Sequence, residues 1–163
     1  MAKKIDKALL PTTLGTLYPP PFDEACKSRE RTKLGDSAGL TQFGVNHLRL
    51  PPGSWSSQRH WHTHEDEFVY VLSGEVTLVT DSGAELLQTG DCAGFKAGDK
   101  NAHCLQNNGT KDAIVLEIGS RIAGDAAFYA DVDMIAPANG IPAIYTKRDG
   151  APYTDLKRRG EKA

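Results

Sequence analysis

Short runs of apolar and β-branched residues recur along the middle of the chain, and a turn signal closes each of them. The clearest are EFVYVL (67–72) and EVTLVT (75–80), which are separated by Ser73-Gly74. Further runs are AELLQ (84–88), CAGF (92–95), HCLQNN (103–108) and AIVLEIGS (113–120). Strands this short at such regular intervals are typical of a β-barrel or a β-sandwich. The pattern therefore predicts an all-β fold.

An earlier run, TQFGVNHLRL (41–50), alternates well enough to be a strand and ends at Pro-Pro-Gly. Because side chains alternate between the two faces of a strand, Asn46, Leu48 and Leu50 are expected on one face. His47 and Arg49 are then expected on the other.

Several of these runs are apolar on both faces, notably 67–72, 84–88 and 113–118. A barrel strand needs an apolar inner face only, so another part of the structure must cover the outer faces. The N-terminal segment, the C-terminal segment or a second subunit are the alternatives.

The two ends of the chain differ in composition from the middle. Residues 1–40 contain four prolines and the charged run SRERTK, and proline resists helix interiors and central strands. We interpret this segment as an N-terminal arm that wraps the barrel, the alternative being a partly disordered tail. Residues 120–163 are predicted to form a C-terminal extension that packs on the barrel or on a dimer partner. This extension contains AAFYADVDMIA, a short helix or an extended segment, and its end, LKRRGEK, is interpreted as a solvated tail.

The chain length, the net charge and the cysteine count limit the class of protein. A chain of 163 residues is one ordinary domain, and a net charge of −2 argues against a nucleic-acid partner held by a general positive field. Cys26, Cys92 and Cys104 are an odd number without C-x-x-C spacing, which indicates reduced thiols and a cytoplasmic location. We find no signal peptide and no membrane span in the sequence, so no membrane partner is expected.

Ionisable residues cluster just before the run EFVYVL. His60 and His62 are two residues apart, so on an extended strand both imidazoles leave the same face. Glu67 follows after four residues, and His103 opens the later run HCLQNN. If these groups converge, they form a nitrogen and oxygen site for a divalent metal. Burying them in a barrel without a cation would carry a large desolvation cost.

The spacing of these residues resembles the first sequence motif of the cupins, a family of small β-barrels. That motif is Gly, five residues, His-X-His, three or four residues, Glu, six residues and Gly. Here Gly53 is followed by six residues, then by His-Trp-His at 60–62, four residues, Glu67, six residues and Gly74.

The second cupin motif is Gly, five residues, Pro-X-Gly, two residues, His, three residues and Asn. Here Gly90, five residues, Lys-Ala-Gly at 96–98, four residues, His103, three residues and Asn107 correspond to it. Lysine at position 96 replaces the usual proline, and the spacer before His103 is two residues longer. Both departures fall in a loop, so they affect the predicted shape of the loop more than the ligand.

The resemblance implies a cupin-like double-stranded β-helix, or jelly-roll barrel, over residues 41–119 with N- and C-terminal extensions. It implies one divalent transition metal per chain (iron, manganese, nickel or zinc), with His60, His62, Glu67 and His103 as ligands. Cupins commonly form dimers, so a homodimer is also expected. Two alternatives remain open: a metal-free barrel whose polar residues hydrogen-bond one another, and a register in which His62 and His64 form the histidine pair.

Four other residues are weaker candidates for the site. Gln58 has the strand parity of His60, so it is a candidate for a hydrogen bond to a substrate beside the metal. Lys96, in the loop of the second motif, is a candidate for contact with an anionic substrate at the mouth of the barrel. His64 and Asp66 are candidates for proton transfer or for support of the ligands. For each, the alternative is an ordinary strand residue or a solvated loop residue.

Three residues near the ligands have the opposite strand parity. Arg59, Trp61 and Cys104 are therefore predicted to face away from the cavity. We interpret Trp61 as core packing, and Cys104 as a small buried apolar residue rather than a nucleophile.

The predicted function is a metal-binding cupin that is a metal-dependent enzyme acting on a small oxygen-rich metabolite. Four protein ligands leave positions open on a metal that accepts five or six. The resemblance leaves two chemistries open, sugar-phosphate-isomerase-like and dioxygenase-like. The alternative from another class is a non-catalytic cupin that binds or senses a small molecule and keeps the metal as an anchor.

Overall fold

The computed structural model describes residues 4–156, which form an antiparallel β-fold. Its strands are β1 (Thr12–Leu14), β2 (Glu30–Lys33), β3 (Phe43–Leu50), β4 (His60–His62), β5 (Glu67–Ser73), β6 (Glu75–Thr80), β7 (Gly83–Gln88), β8 (Cys92–Phe95), β9 (Cys104–Gln106), β10 (Ala113–Ser120), β11 (Ala127–Tyr129) and β12 (Ile135–Ala136). Its helices are α1 (Leu34–Ser37) and three 3-10 helices at Lys7–Leu9, Glu24–Cys26 and Ala138–Gly140. The basic C-terminal run lies almost entirely outside the described residues.

The strands form two opposed walls. One wall is a six-stranded sheet in the order β1-β2-β3-β10-β5-β8. The other consists of two three-stranded sheets, β12-β11-β4 and β7-β6-β9. Backbone hydrogen bonds between His60 and His103 connect these two small sheets. The arrangement is that of a jelly-roll barrel, which confirms the predicted fold class.

The core lies between the two walls. The side chains of Leu48, Leu50, Val71 and Val115 from the large sheet are completely buried there, and they pack with Val76 and Leu105 from the opposite wall. The predicted faces of β3 are found: Leu48 and Leu50 point inward, whereas Arg49 forms ion pairs with Glu30 and Asp112 at the surface.

The last residues of the two motifs have structural roles. Gly74 has a φ of +77°, and a Cβ atom there would lie 2.7 Å from the carbonyl oxygen of Asp112. Only glycine fits this turn without strain. Asn107 is buried, and its amide donates hydrogen bonds to the carbonyl oxygens of Leu50 and Lys111. The second motif therefore ends on a residue that joins β3 to the loop before β10.

The N-terminal arm is more regular than its prolines indicated. Its strand β2 pairs with β3 along Glu30–Lys33, and β1 pairs with β2. Proline does not prevent this, because the prolines lie outside both strands. The charged run is therefore an edge region of the large sheet.

The C-terminal extension forms extended structure beside the barrel. Its strand β11 pairs with β4, the strand that contains the first two candidate ligands. Tyr129 and Met134 of the extension pack with Tyr18 and Cys26 of the arm in a second apolar cluster. The two extensions thus meet in a cluster beside His60, whose ring stacks on Tyr129.

Part of the outer surface of β5 is exposed among the described residues. Phe68, Tyr70 and Leu72 along β5 are about two-fifths exposed. No helix within residues 4–156 is long and apolar enough to span a membrane. The three cysteines are free thiols, and the cytoplasmic location expected from them stays a prediction.

Candidate metal centre

Three separate parts of the barrel bring the candidate ligands together. Strand β4 presents His60 and His62 on the same face, and Glu67 is the first residue of β5. His103 precedes β9 and is held opposite His60 by two backbone hydrogen bonds of 3.1 and 2.8 Å. The expected pair is therefore His60 and His62, whereas His64 is exposed and contacts Thr63.

The side chains converge on one oxygen atom of Glu67. The Nε2 atoms of His60, His62 and His103 lie 3.6, 3.7 and 3.0 Å from Glu67 Oε2. Two ligand atoms bound to one cation at roughly 2.1 Å are about 3.0 Å apart at a right angle and about 3.4 Å apart in a tetrahedron. The distance from His103 matches the right-angle value, and those from His60 and His62 exceed the tetrahedral value by 0.2 to 0.3 Å, so a small inward movement of these two rings would complete a shared cation site.

Hydrogen bonding supports the same interpretation. Glu67 Oε2 is buried and receives no hydrogen bond of regular geometry, although three imidazole nitrogens surround it. The ligand atoms of His60, His62 and Glu67 all lie within 4.8 Å of one another. His103 is outside this compact group but is the nearest of the imidazoles to Glu67. A buried carboxylate oxygen without a donor is the environment that a cation would satisfy.

Partners on the far side of two rings set their orientation. His60 Nδ1 lies 3.0 Å from the carbonyl oxygen of Gln58, and His62 Nδ1 lies 2.6 Å from Asp125 Oδ2. When Nδ1 carries the hydrogen that these acceptors require, the lone pair of Nε2 is free to face Glu67. Asp125 comes from the C-terminal extension, and sequence reasoning missed it.

Asp125 also organises the loop that follows β4. Its Oδ1 accepts hydrogen bonds from the backbone N–H groups of His64 and Glu65. His62, Glu65 and Asp125 lie close enough to suggest a second metal group. The short contact between Asp125 and His62 Nδ1 is better explained as a hydrogen bond, since the other nitrogen of that ring faces Glu67.

The ionisation of the cluster suits metal binding. Burial, with smaller contributions from the neighbouring histidines, lowers the pKa of His60 to about 4 against the opposing effect of Glu67. Burial disfavours the charged form of Glu67, but the contact with His103 and the charges of the other histidines outweigh it and lower the pKa of this carboxyl to about 2. At neutral pH a neutral His60 and an ionised Glu67 are the forms that ligate a metal.

The cluster lies between two cavities. The larger, of about 380 Å³, also contains Arg29, Arg31 and Lys33 in its lining. Arg31 and Lys33 alternate along β2 and therefore share its inner face, and Arg29, just before the strand, is two residues from Arg31. Arg31 is held by Glu117 in a bidentate ion pair of 2.7 and 2.8 Å. The period of two within SRERTK was the sequence signal for this basic face.

The smaller cavity, of about 200 Å³, lies on the other side of the ligands and has Lys96 in its lining. Gln58 lines neither cavity, because its amide donates a 2.7 Å hydrogen bond to the carbonyl oxygen of Phe22. Asp66 is exposed and accepts a hydrogen bond from the backbone N–H of Ala97. Neither His64 nor Asp66 lines either of these two cavities.

Arg59, Trp61 and Cys104 were predicted from strand parity to face away from the cavity, and two of the three do so. Cys104 is buried outside both cavities, and Arg59 forms surface ion pairs with Asp81 and Asp131. Trp61 departs from the prediction, because it lines the smaller cavity. Its ring also stacks on Phe128 of the extension, with ring centres 4.9 Å apart.

The chain belongs to the cupin superfamily. The sequence model of the cupin domain family matches residues 46–119. A sugar phosphate isomerase of the cupin superfamily from Silicibacter pomeroyi is 38% identical, with a TM-score of 0.84 over 95% of this chain and 100% of that chain. The predicted family is confirmed.

Two further solved structures are similar to this chain. A candidate sugar phosphate isomerase from Acidithiobacillus ferrooxidans is 30% identical, with a TM-score of 0.69 over 78% of this chain and 81% of that chain. A predicted oxalate decarboxylase from Thermotoga maritima shares the fold, with 19% identity and a TM-score of 0.60 over 74% of this chain and 100% of that chain. No protein in the curated set matches this chain.

The contact between Asp125 and His62 predicts that Asp125 supports metal binding by orienting the His62 ring. Replacing Asp125→Asn keeps the shape of the side chain but removes its charge. We expect affinity for Zn²⁺ or Mn²⁺ to fall about 10- to 100-fold, because the ring loses the carboxylate that orients it. Equilibrium dialysis measures the affinity. The control is Asp133→Asn in the same extension, whose carboxylate accepts the backbone N–H of Arg148. Equal affinity in both variants would contradict this role.

Proposed function

We propose that this cupin is a metal-dependent isomerase that acts on a sugar phosphate. The observation that carries the proposal is the larger cavity, in which the histidine and glutamate cluster shares one space with basic side chains of β2. Two similar structures of at least 30% identity have names that point to the same chemistry.

The candidate cofactor is one divalent transition metal per chain, with His60, His62, Glu67 and His103 as its ligands. Such a cation supplies Lewis-acid polarisation of a substrate carbonyl. The chain's own contribution is to hold three imidazoles and an ionised carboxylate in fixed positions. The Gln58 carbonyl and Asp125 orient two of the rings, and Phe95 stacks on His103 with ring centres 3.5 Å apart.

Interconversion of an aldose and a ketose moves a proton between two adjacent carbons, so the site needs a proton carrier. Glu65 and Glu117 are carboxylates in the lining of the larger cavity besides Glu67. We assign Glu117 as the proton carrier. It pairs with Val69 across the sheet, two residues along β5 from Glu67. Arg31 holds both of its oxygens, whereas Glu65 accepts the backbone N–H of Ile122.

The proposal predicts the behaviour of Glu117→Gln. We expect kcat for the isomerisation of an aldose phosphate to fall about 10²- to 10⁴-fold, because the amide cannot accept the proton. Metal content should stay unchanged, since Glu117 is outside the ligand cluster. The assay uses protein reloaded with iron, manganese, nickel or zinc after chelation, and it follows both product and uptake of solvent deuterium by NMR.

The control is Glu75→Gln, which changes an exposed glutamate at the start of β6. Absence of turnover with every metal and a broad panel of aldose phosphates would contradict the isomerase. Saturable binding without turnover would then favour a binding or sensing cupin. Oxygen consumption with the iron form would favour dioxygenase chemistry, which no described side chain specifically supports.

We infer that the protein is a homodimer through the outer face of β5. Phe68, Tyr70 and Leu72 expose a continuous apolar strip there, and burial of such a strip favours association. Sedimentation of the purified protein should show a dimer, and Leu72→Glu should shift it toward the monomer. A monomeric wild-type protein at high concentration would contradict this inference.

A further inference from the structure

The mouth of the larger cavity has two exposed cationic side chains that the metal cluster does not use. Lys33 ends β2 and Arg121 follows β10, and both line the cavity. Their side chains are 58% and 39% exposed, whereas Arg29 at the other end is almost completely buried. The two cations therefore lie where the cavity meets solvent.

Lys33 and Arg121 share a single carboxylate as their ion-pair partner. Lys33 Nζ lies 3.5 Å from Asp36 Oδ2, and Arg121 also pairs with Asp36. Within residues 4–156, Asp36 is the carboxylate that forms ion pairs with these two cations, and it lies outside the cavity lining. Arg31, by contrast, is matched by Glu117. Glu65 also lines the cavity, and its Oε1 accepts the backbone N–H of Ile122, but within residues 4–156 it forms no ion pair with Lys33 or Arg121.

Two glycines lie between this mouth and the ligand cluster. Gly44, Gly119 and Glu67 are directly opposite one another on β3, β10 and β5. A Cβ atom on Gly119 would lie 3.8 Å from Glu67 Cγ, and one on Gly44 would lie 3.4 Å from Arg121 Nη2. Because both positions are glycine, the wall between Glu67 and Arg121 is open to an elongated ligand.

We propose that Lys33 and Arg121 form the subsite for the phosphate group of the substrate, with the carbonyl end at the His60, His62, Glu67 and His103 cluster. This inference rests on the proposed function. A phosphate carries up to two negative charges and three acceptor oxygens, which an arginine fork and a lysine ammonium satisfy together. The subsite explains why an arm strand and the end of β10 enclose a cavity whose ligands come from other strands.

The test measures binding of inorganic phosphate to the metal-free full-length protein by isothermal titration calorimetry. Removal of metal prevents phosphate from binding to the cation instead. We expect Lys33→Met and Arg121→Gln each to weaken phosphate binding about tenfold, since each removes one charge-assisted contact. Asp36→Asn should strengthen it several-fold, because it frees both cations from their shared carboxylate. Acetate at equal ionic strength should bind more weakly than phosphate.

The matched control is Lys27→Met. Lys27 is 54% exposed and pairs with Glu24 three residues away, as Lys33 does with Asp36, but it lies outside the cavity lining. Equal phosphate affinity in the wild type and all four variants would overturn the subsite, as would acetate binding as tightly as phosphate. Absence of isomerase turnover together with the expected affinity series would contradict the proposed reaction but support the subsite. Turnover of unphosphorylated sugars with no phosphate binding would overturn the subsite and leave an isomerase.

Discussion

The structure depends on how the barrel accommodates a buried carboxylate oxygen among imidazoles. Glu67 Oε2 lies within 3.7 Å of three Nε2 atoms and has no regular hydrogen bond. An ionised group in such surroundings is costly unless an opposite charge compensates it. A neutral His60 supplies no such charge. A cation bound by all four groups would convert this cost into stability, because it requires the same protonation states.

Much of the fold, and the convergence of the four candidate ligands, could be predicted from sequence. The β6–β7 hairpin and strands β8 and β10 lie where the apolar runs and turn residues placed them, since local alternation and turn chemistry determine them. The spacing of His60, His62 and Glu67 puts all three on inward positions of two neighbouring segments. His103 was found through its motif, and its backbone pairing with His60 explains why the lengthened loop before it does not displace it.

The contributions of the two ends of the chain could not be predicted in the same way. Asp125 follows a glycine in an irregular segment, and only tertiary structure brings it within 2.6 Å of His62. Arg31 and Lys33 are part of a charged run that is usually solvent-exposed, but pairing of β2 with β3 turns their face toward the cavity. Gln58 had the expected parity, but a hydrogen bond to the arm holds its side chain elsewhere. In each case a contact between residues far apart in the sequence determines where the side chain lies.

The central claim is that a cation bound by His60, His62, Glu67 and His103 satisfies this cluster. The most direct measurement is elemental analysis after dialysis against Zn²⁺ or Mn²⁺ and gel filtration, comparing the wild type with the double variant His60→Ala/His103→Ala. The control is His47→Ala, a histidine of β3 outside both cavities. The account predicts about one metal ion per chain in the wild type and the control, and little in the double variant. Equal metal content in all three folded proteins would contradict it.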